Sequence, residues 1–313
     1  MNINKYNFRT DLACDEKDCV SNRLLETIET FNNIEVYKHI VNDDANIVNK
    51  RSGTYYSIDL KNINYNDTKT AVEVEKTLAK IVKRILKEKD LLGKKGLIVG
   101  LGNINVTPDA LGPYVIDNII VTRHLYTINK ISDGFSNVCA LAPGVMGTTG
   151  LETYDIILSI IKNIDCDYVI AIDALATSSI ARVCKVIQIT DSGINPGSGV
   201  KNQRKELSEQ TLGIPVIALG VPTVVDSVTI THDIIEYVFR HLQDINEEKL
   251  FGEFGKLDES NKRMLIEGIL EPNGINMMVT PKEIDSEIEE LTKIIANGLD
   301  LALHPGLYNG MSE

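Results

Sequence analysis

The apolar positions of this chain fall into short dense runs separated by amphipathic stretches, a spacing that predicts alternating strands and helices. Nearly continuous apolar runs predict strands at 96–101, 138–142, 167–173, 186–189 and 214–219, each suited to burial on both faces of a parallel sheet. Helical spacing between them predicts helices at 108–120 and near 152–163. Upstream, Ile34 to Ile40 alternates as a half-buried strand does, and Thr54 to Leu60 is a second strand after a turn at Gly53. From Asp67 to Lys89 the period changes, and Val74, Leu78, Ile81, Val82 and Ile85 form one helical stripe. Residues 22–31 read as a short helix, and residues 1–18 as a polar, flexible leader with few signs of packing. Beyond 230 the pattern is helical, with helices at 231–243 and 281–303. The fold class expected is α/β: a mainly parallel or mixed sheet with helices on both faces, and a helical C-terminal extension from about residue 231.

Composition narrows the partners. The formal charge of −12 over 313 residues opposes direct binding to nucleic acid or to an anionic membrane. No apolar run reaches membrane-spanning length and the first residues lack the apolar core of a signal peptide, so the expected location is cytoplasmic. Cys14, Cys19, Cys139, Cys166 and Cys184 are scattered with no CxxC pair, and read as reduced thiols.

The candidate chemistry lies at strand ends. Gly100 and Gly102 turn the chain after the first of the buried strands, Thr107 is a candidate N-cap, Pro108 suits the first helical position, and Asp109 falls in the first turn. Asp173 closes another apolar strand. Each aspartate alone has a bland reading, Asp109 as a helix-dipole partner and Asp173 as a loop cap. As a facing pair they are different, because two neighbouring carboxylates cannot both ionise cheaply: one keeps its proton while the other takes one from water. A dinucleotide site fits poorly, since Asn105 stands where the third glycine belongs and Asp109 would repel a pyrophosphate. There is no GxSxG elbow and no HExxH pair among His39, His124, His232, His241 and His304. Thr148, Thr149 and the Gly150-Leu151-Glu152-Thr153 turn are candidate walls of a cleft.

Five separated blocks, GLGNxNVTPDALGP, APGVMGTTGLET, VIAIDALA, GVPTVVD and MMVTPKEID with NGLDLALHP, occur in order between about Tyr6 and His304. Together they resemble the germination protease family of spore-forming Firmicutes. The resemblance implies an aspartic-type endopeptidase of the spore core that initiates breakdown of the small acid-soluble proteins coating spore DNA. It places the catalytic pair on Asp109 and Asp173 and implies a fold like that of hydrogenase-maturation peptidases; with no close His/Cys ligand cluster, no metal and no cofactor are expected. It further implies a homotetramer, and a zymogen whose propeptide, residues 1–11, is cut between Asp11 and Leu12 to leave a single peptidase domain at 12–313. Thr10-Asp11-Leu12-Ala13 looks like the substrates' own cleavage motif, although Cys14 departs from the family pattern. Arg182, Lys201 and Arg204 are candidates to read the acidic residue before the cut. Two alternatives stay open: a metal-dependent peptidase in which the same acids bind a cation with His232 as third ligand, and a non-catalytic metal- or peptide-binding protein.

Overall fold

A computed structural model describes residues 10–12, 25–31, 33–42, 51–65, 67–197, 204–244, 252, 254–275 and 277–310. Among them, nine strands form one mixed sheet: β1 Leu25–Phe31, β2 Ile34–Val41, β3 Gly53–Asp59, β4 Gly96–Gly100, β5 Val138–Leu141, β6 Tyr168–Thr177, β7 Val186–Thr190, β8 Val216–Asp226 and β9 Met278–Val279. Their order is β1-β2-β3-β7-β8-β6-β4-β5, with β9 added to β8. β5, β4, β6 and β8 run parallel, while β1, β2, β3 and β7 pair antiparallel and β7 joins β8 antiparallel. The helices are α1 Thr68–Glu88, α2 Leu111–Asn118, α3 Arg123–Thr127, α4 Met146–Thr149, α5 Thr153–Ile164, α6 Glu209–Leu212, α7 Ser227–Asp244, α8 Glu259–Leu270 and α9 Ile284–Leu303.

Because successive strand residues point to opposite faces, the sheet has two distinct sides. On one side Ile98, Ile170, Ile172, Ile187, Ile217 and Leu219 are buried in a single core with α1, α2 and α9. Leu97, Val99, Val169, Ala171 and Val216 face the other way, against Ile157 and Ile161 of α5 and Leu212 of α6. Helices cover both faces, as the apolar strand runs require. The C-terminal α9 is no appendage: Ile288, Leu291, Ile295 and Leu299 are fully enclosed in the first core.

Four expectations are corrected. The segment read as a helix over 22–31 is strand β1 where it is described, because seven consecutive residues find antiparallel partners in β2, and cross-strand pairing overrides a weak local preference. The helix expected over 108–120 is divided into a 3-10 turn, Thr107–Asp109, and α2; Thr107 makes no capping bond. α7 starts at Ser227, four residues early, because Asp226 Oδ1 accepts the Thr229 N–H at 2.6 Å and caps it. Finally, Thr10, Asp11 and Leu12 of the supposed flexible leader are packed, and Leu12 is completely buried. The rest of the leader expectation, residues 1–9 and 13–18, lies outside the described residues.

Candidate active site

The loop after β4 is folded tightly by its glycines. A Cβ on Gly100 would lie 2.2 Å from the Gly112 carbonyl oxygen, and one on Gly112 would lie 2.3 Å from that of Leu101, so the start of α2 rests directly on the strand end. Gly102 has φ +113° and approaches Asp109 so closely that a Cβ would meet its carbonyl oxygen at 1.9 Å. This contact lets the Asn103 N–H donate to Asp109 twice, to the carbonyl at 3.1 Å and to carboxylate Oδ2 at 2.8 Å. The TPDALG segment thus aims a half-buried carboxylate back over the end of the sheet. Burial pushes the Asp109 carboxyl above its usual range, while the Asn103 N–H and the charge of Arg204 pull it back.

Asp173 continues the second face from Val169 and Ala171 and is buried. Burial is the largest influence on it and raises its pKa well above that of an ordinary aspartate; the charges of Asp109 and then Asp11 push the same way. Its own neighbour Ala174 donates to Oδ1 at 3.0 Å. Asp109 and Asp173 line one cleft of about 390 Å³, together with Asp11, Val145, Thr153, Arg204, Thr223 and Thr280. The cleft floor is the sheet itself. Asp173 pairs in register with Gly220 of β8, Gly220 with Gln188 of β7, Gln188 with Ser57 and Ser57 with Tyr37, so these five residues form one row across the strands. At Gly220 a Cβ would strike Leu175 at 2.6 Å, so the glycine makes room for the Leu175 side chain, and Gly220 and Gln188 line a neighbouring pocket with Asp11 and Leu175.

The chain's own Asp11 lines this cleft, between Thr10 and the buried Leu12. Asp11 N–H donates to the Ala176 carbonyl at 3.0 Å, and Ala176 N–H donates to Asp11 Oδ2 at 2.9 Å. Gln188 Nε2 donates to the Asp11 carbonyl oxygen at 3.1 Å. Leu12 is enclosed by Leu175 and Val186. The acidic side chain before the expected cut thus accepts a hydrogen bond from a backbone amide.

Of the three candidate basic residues, Arg204 lines the cleft, Arg182 lines a separate cavity with Tyr37, Ser57 and Lys185, and Lys201 lies outside the described residues. His232 is not among the residues lining the cleft. It sits on α7, with Nε2 2.8 Å from Glu259 and Nδ1 3.4 Å from Asp233. His232, Glu236 and Glu259 bring ligand-type atoms within 4.8 Å of one another, but the Lys262 ammonium already stands at 2.6 Å from Glu236 and 3.3 Å from Glu259. Thr153 lines the cleft, whereas Thr148 and Thr149 instead bond the Val145 carbonyl in α4. Sequence reasoning passed over Gln188 and Gly220. The signal was present, since Gln188 is the one polar side chain within the apolar Val186-Ile187-Gln188-Ile189 run.

Two carboxyl groups with raised pKa values line one cleft of an α/β sheet, Asp109 in the loop after parallel strand β4 and Asp173 within parallel strand β6. A sequence model of the family described as germination protease matches residues 11–250 and 243–312. The chain belongs to the germination protease family and is a peptidase. It is 41% identical to the germination protease of Halalkalibacterium halodurans over 98% of this chain and 96% of the relative. It is also 41% identical to those of Bacillus cytotoxicus and Bacillus cereus, over 97% of this chain and 95% of each relative. Among the described residues no helix is long and apolar enough to cross a membrane.

Proposed function

We propose that this peptidase is of the aspartic type, is made as a zymogen, and starts the degradation of small acid-soluble spore proteins at germination in the spore core. The observation that carries this reading is that Asp11 lines the same cleft as Asp109 and Asp173, with Leu12 buried beside it against Leu175 and Val186. The roles follow from the surroundings. Asp173, the more deeply buried and flanked by two other carboxylates, keeps its proton and acts as the acid. Asp109, steadied by the Asn103 N–H and Arg204, is the carboxylate that takes a proton from water. An extended peptide with an acidic residue before the cut and a large apolar residue after it fits the contacts made to Asp11 and Leu12. Residues 1–11 are the propeptide in this reading, and four copies form the working assembly.

The test is incubation with a purified small acid-soluble spore protein, with and without a chelator. Cleavage is expected to survive chelation and to disappear in Asp109→Asn and in Asp173→Asn. The double variant is expected to be little worse than either single one, since groups acting as a unit lose their function together. Cleavage that stops on chelation would replace this reading with metal-dependent hydrolysis, and no cleavage by the intact or matured protein would leave a binding protein. Sedimentation of the matured protein reads the assembly, with any mass other than that of four chains counting against the tetramer.

A further inference from the structure

We propose that Gln188 is a catalytic residue: its side-chain amide is the donor that stabilises the oxyanion formed at the scissile carbonyl. This rests on the aspartate-pair reading above and adds to it a third group that touches the reacting atoms. Gln188 Nε2 stands 3.1 Å from the carbonyl oxygen of Asp11, the carbonyl of the bond expected to be cut. A carbonyl oxygen only accepts hydrogen bonds, so the part of the glutamine facing it is the NH₂ group. An oxyanion site requires a donor about 2.7–3.1 Å from where the oxyanion will stand, and this amide already faces the carbonyl oxygen from which that oxyanion would form.

The sheet fixes this donor opposite the acids. Gln188, Gly220 and Asp173 occupy one register row on three adjacent strands, and paired residues in a row point to the same face. Two strand spacings put the β7 and β6 backbones roughly 9.5 Å apart. Gly220 admits the Leu175 side chain between them, and Asp11 lines both the Asp109–Asp173 cleft and the neighbouring pocket that Gln188 lines. Gln188 is 94% buried by its 6% exposure and lies on a central strand, so it is positioned before the reaction begins. A buried polar side chain in an otherwise apolar strand carries a desolvation cost that this contact offsets.

The step balances as follows. The Asp109 carboxylate takes one proton from water as the water oxygen bonds to the Asp11 carbonyl carbon, and the carbonyl electron pair moves onto its oxygen, facing the Gln188 amide. The pair then returns as the carbon–nitrogen bond to Leu12 breaks, and the Asp173 proton goes to the leaving nitrogen. Cleavage at other substrates' bonds uses the same atoms, with the acidic residue in place of Asp11.

The experiment compares wild type, Gln188→Ala, Gln188→Glu and Asp173→Asn on a synthetic peptide spanning residues 6–17 of this chain. Self-processing of the full chain is followed in parallel by mass spectrometry. Loss of one oxyanion donor is expected to lower kcat by about 10²–10³-fold while KM moves far less. Gln188→Glu keeps the shape and can donate only while protonated. Its rate relative to wild type is therefore expected to fall about tenfold per pH unit once that carboxyl ionises, a dependence that a merely structural side chain would not produce. If Gln188→Ala misfolds, this pH dependence decides. Gln188→Ala turning over within about threefold of wild type, with Asp173→Asn inactive, overturns the role of Gln188 and leaves the aspartate pair standing. Loss in Gln188→Ala with Asp173→Asn still active overturns the pair and keeps the oxyanion donor. No cleavage by wild type overturns both.

Discussion

The Asp173 carboxyl is placed where ionisation is expensive, within the buried strand β6 and beside two other acids. Its pKa is raised in the folded chain, so the folded state holds this proton more tightly than the unfolded state does. The stabilisation that results is complete below the unfolded value of about 3.9 and is lost as pH rises through the raised folded value. Asp173→Asn removes the titration. The variant is expected to be inactive yet more heat-resistant than wild type at pH 8, with the difference in Tm shrinking toward pH 4. Thermal melts at the two pH values check this, and an Asn variant less stable than wild type at pH 8 would refute it. Both aspartates were legible as single residues, Asp173 as the one charged group in the apolar run of β6 and Asp109 through the helix-start residues around it. Their convergence was not legible, since it depends on Gly102 and Gly100 folding the Asp109 loop back, and no local pattern encodes that distance.

Elements show the same division. The α1 stripe and the buried strands were readable because burial on one face or two writes directly into the sequence period. β1 was misread because its identity comes from pairing with β2, a contact its own residues do not announce. The role of α9 was also hidden. Its last turn grips residue 120 at both ends: Asp300 Oδ1 accepts the Ile120 N–H at 3.0 Å, and His304 Nε2 is 3.1 Å from the Ile120 carbonyl. Burial raises the Asp300 pKa to about 6, so its contribution favours folding at low pH and fades as pH rises through about 6. Asp300→Asn is therefore expected to flatten the decline in Tm between pH 5 and pH 8, measured against wild type; an unchanged slope would refute it. The docked segment gives a second element-level expectation. Truncating a fully buried leucine costs about 2–5 kcal/mol where the site cannot collapse. Three residues held by a few bonds can instead detach. Leu12→Ala is expected to speed hydrogen exchange at the Asp11 amide, which bonds the Ala176 carbonyl, while the Tm of the whole chain changes little. Equal exchange in the two proteins would refute it.

Across the whole molecule, class was readable and arrangement was not. Strand and helix alternation fixed an α/β sheet, but the polarity change between β7 and β8, which sets Gln188 opposite Asp173, has no local signature. Three carboxyl groups meet at the cleft, and Asp173 feels the charges of both Asp109 and Asp11. In the proposed mechanism, self-processing requires one of these groups to keep a proton. Its rate is therefore expected to rise as pH falls through the raised range of Asp173, and to yield a new N-terminus at Leu12. N-terminal sequencing of protein held at several pH values checks this beside Asp109→Asn, which is expected to stay uncut. Processing that quickens as pH rises, or a variant that matures alone when pure, would refute it.

Asp11 lines the cleft while joined to the rest of the chain, and in the proposed zymogen this covalent link is an inhibitor's advantage in itself. A tethered ligand is present at an effective concentration on the order of millimolar, so an untethered peptide making equal contacts at micromolar concentration is outcompeted about a thousandfold. Breaking the Asp11–Leu12 bond ends that advantage without moving a strand. The released residues then compete only at their bulk concentration, and diluting the cut protein should be enough to turn it on.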